Sequence, residues 1–448
     1  MEKTFFENII VGFGKAGKTL AKFLATQGES VAVIEKSKQM YGGTCINIGC
    51  IPSKSLIVNG QKGLDFENAI SKKSDLTGKL NQKNYHMIAD EETATVVDGS
   101  ARFVSDHEIE ISANDGQVLQ ILEGRRIFIN TGATPVLPPI PGLSESKNVV
   151  TSKEIMELTT LPKELTIIGS GYIGLEFASM FASYGSKVTV LEVYNTFLPR
   201  EDDDISERIK ADLEAAGVVF KFGVKINKIF DDNNRVVVDA ENFEQSADKL
   251  LIATGRKPNT TGLGLENTGV QLGERGEIVV NEKLETRASG VWALGDVHGG
   301  LQFTYTSLDD FRIVQSQLYG DGSYTLNNRI VVPNSVFISP TLSSVGLNEK
   351  AARAAGIDYR LFKLEATAIP KSAVLSQSKG LLKALVSPET DEILGTTLYA
   401  EDSHEVINLL SLAIKAKLPY TMIRDQIFTH PTMSEALNDL FAAANEVK

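Results

Sequence analysis

Cys45 and Cys50 are the only cysteines in this chain of 448 residues. They stand in Tyr41-Gly42-Gly43-Thr44-Cys45-Ile46-Asn47-Ile48-Gly49-Cys50-Ile51-Pro52-Ser53-Lys54. A secreted scaffold stapled by disulfides carries more cysteines than this. A close pair in a chain that shows no signal sequence points to redox chemistry or metal, with two unrelated buried thiols as the plain alternative. Two thiols without a nearby His or acid make a poor tetrahedral site, so no metal ligands are assigned. On an ideal helix, Cα atoms five residues apart lie roughly 8–9 Å from each other, whereas a disulfide needs less than about 7 Å. Bridging therefore requires a distorted helix start, which Gly42, Gly43, Gly49 and Pro52 make available. The second candidate group is His430, in Phe428-Thr429-His430-Pro431-Thr432-Met433-Ser434-Glu435. A His just ahead of a helix, with Glu435 five residues on, can form an oriented acid–base pair. The alternative is a solvated loop histidine.

The elements that would position these groups are legible in the flanking sequence. Asn8-Ile9-Ile10-Val11 is a short β run, Gly12-Phe13-Gly14-Lys15-Ala16-Gly17 a glycine-rich turn, and the residues after it have helical apolar spacing. A second β run, Ser30-Val31-Ala32-Val33-Ile34, ends in Glu35. This is the βαβ dinucleotide fingerprint. The glycines let a pyrophosphate approach the backbone, the helix N-terminus supplies N–H donors, and the terminal acid takes ribose hydroxyls. The pattern recurs as Gly169-Ser170-Gly171-Tyr172-Ile173-Gly174, with Glu192 closing the next strand. The acid follows the first glycine by 35 − 12 = 23 residues in one copy and 192 − 169 = 23 in the other. Two copies in context suggest two nucleotides, a flavin and a nicotinamide dinucleotide.

A proline-rich stretch, Thr134 to Gly142, separates the copies and reads as a connection. Val291-Trp292-Ala293-Leu294-Gly295-Asp296 is a strand ending in an acid that can hold a ribityl or phosphate hydroxyl; a simple strand exit is the alternative. From about 329 onward, strands over 335–338, 381–386 and 392–398 alternate with helices over 349–355 and 404–415, as in a separate α+β domain. The acidic run Glu201-Asp202-Asp203-Asp204 most simply charges the first turn of a helix.

Composition narrows the classes. Apolar residues at 42% and charged residues at 23% are ordinary for a globular protein. The net charge of 45 − 57 = −12 does not suit a nucleic-acid grip or an anionic membrane. The longest uncharged run, 330–348, contains Pro333 and Pro340 and is no spanning helix. The N-terminus lacks a basic stretch followed by an apolar core, so the expected location is cytoplasmic.

Taken together, these segments resemble class I pyridine nucleotide–disulfide oxidoreductases, the family of glutathione reductase and lipoamide dehydrogenase, over essentially the whole chain. Besides the cysteine segment, Ala253-Thr254-Gly255-Arg256-Lys257-Pro258-Asn259, the Gly295-Asp296 strand end and His430-Pro431-Thr432-x-x-Glu435 carry the likeness. The resemblance implies an α/β fold with two Rossmann-like dinucleotide-binding domains, glutathione reductase-like, plus a C-terminal α+β dimerisation domain. It divides the chain into an FAD-binding domain (1–148 and 258–328), an NAD(P)H-binding domain (149–257) and an interface domain (329–448). It implies FAD at Gly12, Gly14, Gly17, Glu35, Thr44, Lys54, Thr131, Gly132, Asp296 and Thr304, and the nicotinamide cofactor at Gly169, Gly171, Gly174, Glu192 and Gly255. Tyr172 matches the tyrosine that shields the flavin until the nicotinamide enters, and Glu176 the acid that pairs with Lys54. A homodimer is implied, with His430 and Glu435 reaching the cysteines of the other subunit. Glu192 favours NADH, since an acid there repels a 2′-phosphate and Val193-Tyr194-Asn195 offer no Arg to hold one; NADPH remains a usable second donor.

Mercuric reductases and large thioredoxin reductases need extra C-terminal thiols or a selenol, which this chain lacks. Phe428 stands where lipoamide dehydrogenases usually carry a further histidine. Met40 to Cys50, Gly300 to Asp310 with Tyr305 and Asp309-Asp310, and Arg424 to Pro431 resemble more narrowly the bacterial RclA-type flavoproteins of reactive-chlorine resistance, which act as hypothiocyanous acid reductases. That subgroup implies a Cys45–Cys50 redox disulfide, with Cys50 nearer the flavin and Cys45 the exposed nucleophile. The competing readings are a dihydrolipoamide dehydrogenase or other low-molecular-weight disulfide reductase, and a non-catalytic redox- or metal-sensing flavoprotein.

Overall fold

Strands covered on both faces read as continuous apolar runs, and Ile9-Ile10-Val11 and Val31 to Ile34 form the middle of such a sheet. The computed structural model describes residues 3–444, 446 and 447. The chain divides into two compact units, one of residues up to Pro138 with 150–161 and 254–328, the other of 139–149, 162–253 and the chain from 329 onward.

In the first unit, strand Lys3–Val11 lies parallel between Val31–Glu35 and Val118–Ile129, with Ile9 opposite Ala32 and Ile127. Ala94–Asp98 extends the sheet on one side, Glu108–Ser112 and Ser100–Phe103 on the other, and Val291–Ala293 pairs with the end of Val118–Ile129. Side chains alternate between faces. Ile9, Val11, Ile34 and Ile129 join one core cluster, whereas Ile10, Val31, Val33 and Phe128 join another with Leu20, Ala21 and Leu24 of helix Lys15–Thr26. Helix Thr304–Tyr319 packs Ile313 and Val314 into that second cluster.

The second unit repeats the theme in strands Val218–Lys221, Lys187–Leu191, Glu164–Ile168 and Lys249–Ile252, all parallel, with helix Tyr172–Ser183 after the second glycine turn. An antiparallel hairpin, Ile226–Asp232 and Arg235–Ala240, is joined by Asn233-Asn234 at φ +48° and +65°, the left-handed pair that two-residue hairpin turns favour. The same unit holds a six-stranded antiparallel sheet in the order Asn334–Val336, Leu342–Gly346, Ile393–Tyr399, Leu381–Val386, Arg360–Glu365, Glu446–Val447. Helices Ser403–Lys415 and Ala436–Ala442 supply Leu410, Leu437 and Leu440 to its core. Among the described residues no helix is long and apolar enough to cross a membrane.

Lys383 is fully buried in this sheet. Its Nζ donates to Asp202 Oδ2 at 2.6 Å, Glu349 Oε1 at 2.7 Å and Asp204 Oδ1 at 2.8 Å. Burial works against the ammonium, but the three hydrogen bonds outweigh it and hold its pKa above the usual lysine value. The acidic run therefore does more than charge a first turn. Asp203 and Asp204 do begin helix Asp203–Ala215, while Asp202 and Asp204 also neutralise a lysine far along the chain.

Candidate active site

The redox segment is two short helices separated by a break. Helix Thr44–Asn47 ends at Ile48, and helix Cys50–Gln61 starts after Gly49. A Cβ on Gly49 would stand 3.0 Å from the Thr44 carbonyl oxygen, and one on Gly43, at φ +77°, would stand 2.8 Å from Gly14 Cα. Glycine at 49 thus permits the distorted turn that brings the cysteines together, and glycine at 43 lets this segment press on the dinucleotide turn. Both cysteines are free thiols, Cys45 half-buried and Cys50 exposed. Cys50 Sγ lies 3.7 Å from the Thr304 hydroxyl, at the start of helix Thr304–Tyr319. A hydrogen bond to Cys50, then burial, then the charge on Cys50 hold the Cys45 thiol above its ordinary pKa. Burial lowers the pKa of Arg256, and Asp296 and Cys50 oppose that from the other direction.

The first glycine turn is held by side chains that sequence reasoning missed. Gly12, at φ +101°, has room only for hydrogen; a Cβ would lie 2.4 Å from the Asn130 carbonyl oxygen. Asn130 Oδ1 accepts from Gly17 N at 2.9 Å, and Asn130 Nδ2 donates to Leu294 O at 2.6 Å. Ala16 N donates to Ser307 Oγ at 3.2 Å. Asp310, almost fully buried, accepts from Gly295 N at 2.6 Å and lies 3.2 Å from His298 Nε2. Asp296 beside them is raised by burial, with Arg256 pulling the other way. Thr131 donates to Asn259 O at 2.7 Å, and Gly132 has φ +71° with open space where a side chain would be.

The two strand-end acids play matching parts. Glu35 accepts from Phe13 N and Ser37 N, both at 3.2 Å. Glu192 accepts from Ser170 N and Ser170 Oγ at 2.8 Å and from Tyr194 N at 3.1 Å. Each acid ties the residue after the first glycine to the residue two beyond itself. Helices Lys15–Thr26 and Tyr172–Ser183 begin at Gly14 and Gly171 with no side-chain cap, and nothing lies within 4 Å of a Cβ built on Gly171. Uncapped helix starts, open glycines and an acid at the strand end are what a dinucleotide's pyrophosphate and ribose require, so the residues fit FAD and a nicotinamide dinucleotide.

The other expected residues fall as follows. Thr44 opens the first redox helix and Lys54 lies in the second. Gly174 lies so close to Gly169 O that a Cβ would stand 2.1 Å from it. The Tyr172 hydroxyl donates to buried Glu201 at 2.5 Å, and Glu176 accepts from Phe337 N at 2.9 Å. Gly255, grouped with the nicotinamide residues on the sequence, belongs to the first unit, where its carbonyl accepts from Val136 N at 2.9 Å. The nicotinamide-side Gly169, Gly171, Gly174 and Glu192 belong to the second unit, with His430 and Glu435. His430 Nδ1 lies 2.9 Å from Glu435 Oε2, its ring mostly exposed and the acid mostly covered. The acid orients the ring and leaves Nε2 outward.

The chain resembles known proteins along nearly its whole length. Residues 6–310 match the family described as pyridine nucleotide-disulphide oxidoreductase, and residues 332–441 match its dimerisation domain. The chain is 48% identical over 437 residues to the probable pyridine nucleotide-disulfide oxidoreductase RclA of Escherichia coli (strain K12), covering 98% of this chain and 99% of that protein. It is 32% identical over 473 residues to dihydrolipoyl dehydrogenase of Bacillus subtilis (strain 168), covering 99% and 98%. A solved structure described as the Cu(II) complex of HOCl-induced flavoprotein disulfide reductase RclA from Escherichia coli superposes with a TM-score of 0.96 at 48% identity, over 99% of both chains.

Proposed function

This chain belongs to the pyridine nucleotide-disulphide oxidoreductase family, an enzyme family of flavoproteins using FAD and a pyridine nucleotide, and from that membership we propose that it reduces hypothiocyanous acid to thiocyanate at Cys45, in defence against reactive-chlorine stress. The observation that carries the reading is the Cys45–Cys50 pair next to Thr304 in a chain with no third thiol: an oxidant must reach this pair directly, which suits a small one. The similarity to an HOCl-induced flavoprotein disulfide reductase supports the reactive-chlorine setting.

When bound, the nicotinamide and the flavin supply two electrons per turnover to the Cys45–Cys50 disulfide. The Cys45 thiolate attacks the electrophilic sulfur of hypothiocyanous acid, a sulfur–sulfur bond forms, and oxygen leaves as water once protonated. The Cys50 thiolate then attacks Cys45, thiocyanate departs, and the disulfide is restored. His430 from a second copy of the chain, oriented by Glu435, supplies the proton and stabilises the Cys45 thiolate. The dimerisation-domain match and the exposure of the apolar side chains Leu412, Met422 and Ile427 in that domain support that arrangement.

NADH is the preferred donor in this reading, because the Glu192 carboxylate would meet a 2′-phosphate. Glu192→Arg should raise the ratio of kcat/KM for NADPH over NADH by about tenfold or more, about 1.4 kcal/mol. Steady-state kinetics with both donors measure it, and an unchanged ratio would place the ribose elsewhere. The function itself is tested by NADH oxidation with hypothiocyanous acid, oxidised glutathione and lipoamide in parallel. Fast turnover with hypothiocyanous acid alone is expected. Fast turnover with lipoamide would instead favour the dihydrolipoamide dehydrogenase reading, which the 32% identity to that enzyme keeps in view.

A further inference from the structure

Lys18 follows the last glycine of the first dinucleotide turn and is 4% exposed. Its Nζ donates to Asn84 Oδ1 at 2.5 Å and to the Gly42 carbonyl at 3.1 Å. Both acceptors are neutral, and among the described residues no carboxylate pairs with it. Lys383, equally buried, has three. An ammonium taken from water without a carboxylate is costly, and burial pushes the Lys18 pKa down to about 8. Among the described residues two charged or titratable groups act on it: Lys15 of its own helix, which lowers it further, and Cys45, which raises it. Helix Phe66–Ala89 contributes neutral Asn84, whose Nδ2 donates to Leu80 O at 2.6 Å and so aims Oδ1 at the lysine. Gly42 is three residues ahead of Cys45, so the lysine is pinned to the segment that carries the thiol.

We propose that Lys18 is a positioning residue of the redox site: its ammonium, fixed to the Gly42 carbonyl by Asn84, is the counter-charge that one chain provides for the Cys45 thiolate. This rests on Cys45 being the attacking thiol. A cation favours the thiolate, so the neutral lysine or its removal raises the pH at which Cys45 ionises. At neutral pH the support is in place, and it fades as pH rises through the lysine's own titration.

The test uses flavin-loaded protein in a Cys50→Ser, His430→Ala background, where Cys45 is the only cysteine left and the interface imidazole is gone. Alkylation of Cys45 by iodoacetamide is followed against pH. Lys18→Gln keeps donors for Gly42 and Asn84 but no charge; Lys18→Arg keeps the charge. The midpoint should rise by about one pH unit or more in the Gln variant, about tenfold slower alkylation at pH 7, and should stay put in the Arg variant. An unchanged midpoint in Lys18→Gln overturns the proposal, as does an equal rise in both variants. If neither holds flavin, Asn84→Ala in the same background decides: losing the anchor of the ammonium should raise the Cys45 midpoint, and an unchanged midpoint overturns the proposal. Alkylation needs no oxidant. Absence of hypothiocyanous acid turnover with the shift intact would count against the function proposed above and leave Lys18 standing.

Discussion

Replacing Cys50 by serine should leave a yellow protein whose NADH oxidation with hypothiocyanous acid falls by about a thousandfold or more. The expectation follows from the order of attack proposed above: Cys45 takes the oxidant, and Cys50 is the thiol left to resolve the Cys45–thiocyanate adduct. Held in one short, glycine-broken segment, it attacks as an intramolecular nucleophile, and well-oriented intramolecular reactions have effective molarities of about 10⁵–10⁸ M. A serine hydroxyl in its place is no nucleophile at neutral pH. Stopped-flow mixing of the pre-reduced variant with the oxidant should show loss of one thiol without release of thiocyanate. Sustained turnover would remove the dithiol from the mechanism altogether.

The second large effect belongs to His430. His430→Ala should slow reoxidation of the reduced enzyme by about a hundredfold to ten-thousandfold, the usual range for a positioned general acid. Reduction by NADH should change by less than about threefold. The imidazole is fixed by two contacts to Glu435, at 2.9 and 3.1 Å, and Glu435 is itself steadied by its N–H to Thr432 Oγ1 at 3.2 Å. The exposed ring is thus presented in one orientation outward from its own chain. Separate stopped-flow half-reactions decide the matter: equal slowing of both would mean that His430 supports the fold or the flavin and not the proton transfer.

Much of this was readable before any coordinates. Both glycine turns, their strand-end acids and the need for a broken helix between the cysteines follow from local sequence, because glycine and helix periodicity act over a few residues. The C-terminal strands at 381–386 and 392–398 were visible as apolar runs. Strand Leu342–Gly346 was not, since Ser343 and Ser344 hide its pattern; Ser343 is tolerated inside because its hydroxyl pairs with Ser335 at 2.8 Å and Ser403 at 3.0 Å. Lys383 can stand fully buried in strand Leu381–Val386 because Asp202, Asp204 and Glu349 surround its ammonium, partners that no local pattern reports. Asn130 escaped notice, and Ser307 and Arg256 were given no role, for a related reason: each serves the site through a partner more than a hundred residues away, and no spacing rule reports such a meeting.

The paired acids at the strand ends have one further consequence. Because Glu35 and Glu192 clasp the backbone N–H groups of their own glycine turns, the loops are set in shape while the chain folds, so a nucleotide arrives at a rigid socket and little of its binding free energy goes into ordering it. The same clasp makes donor choice and loop rigidity a single trait. A lineage that exchanged Glu192 for a basic residue to accept a phosphorylated ribose would lose a fastening as well as a charge, and a second substitution near Ser170 or Tyr194 would have to restore it. Cofactor preference in this architecture should therefore drift in steps of linked residues and not one position at a time.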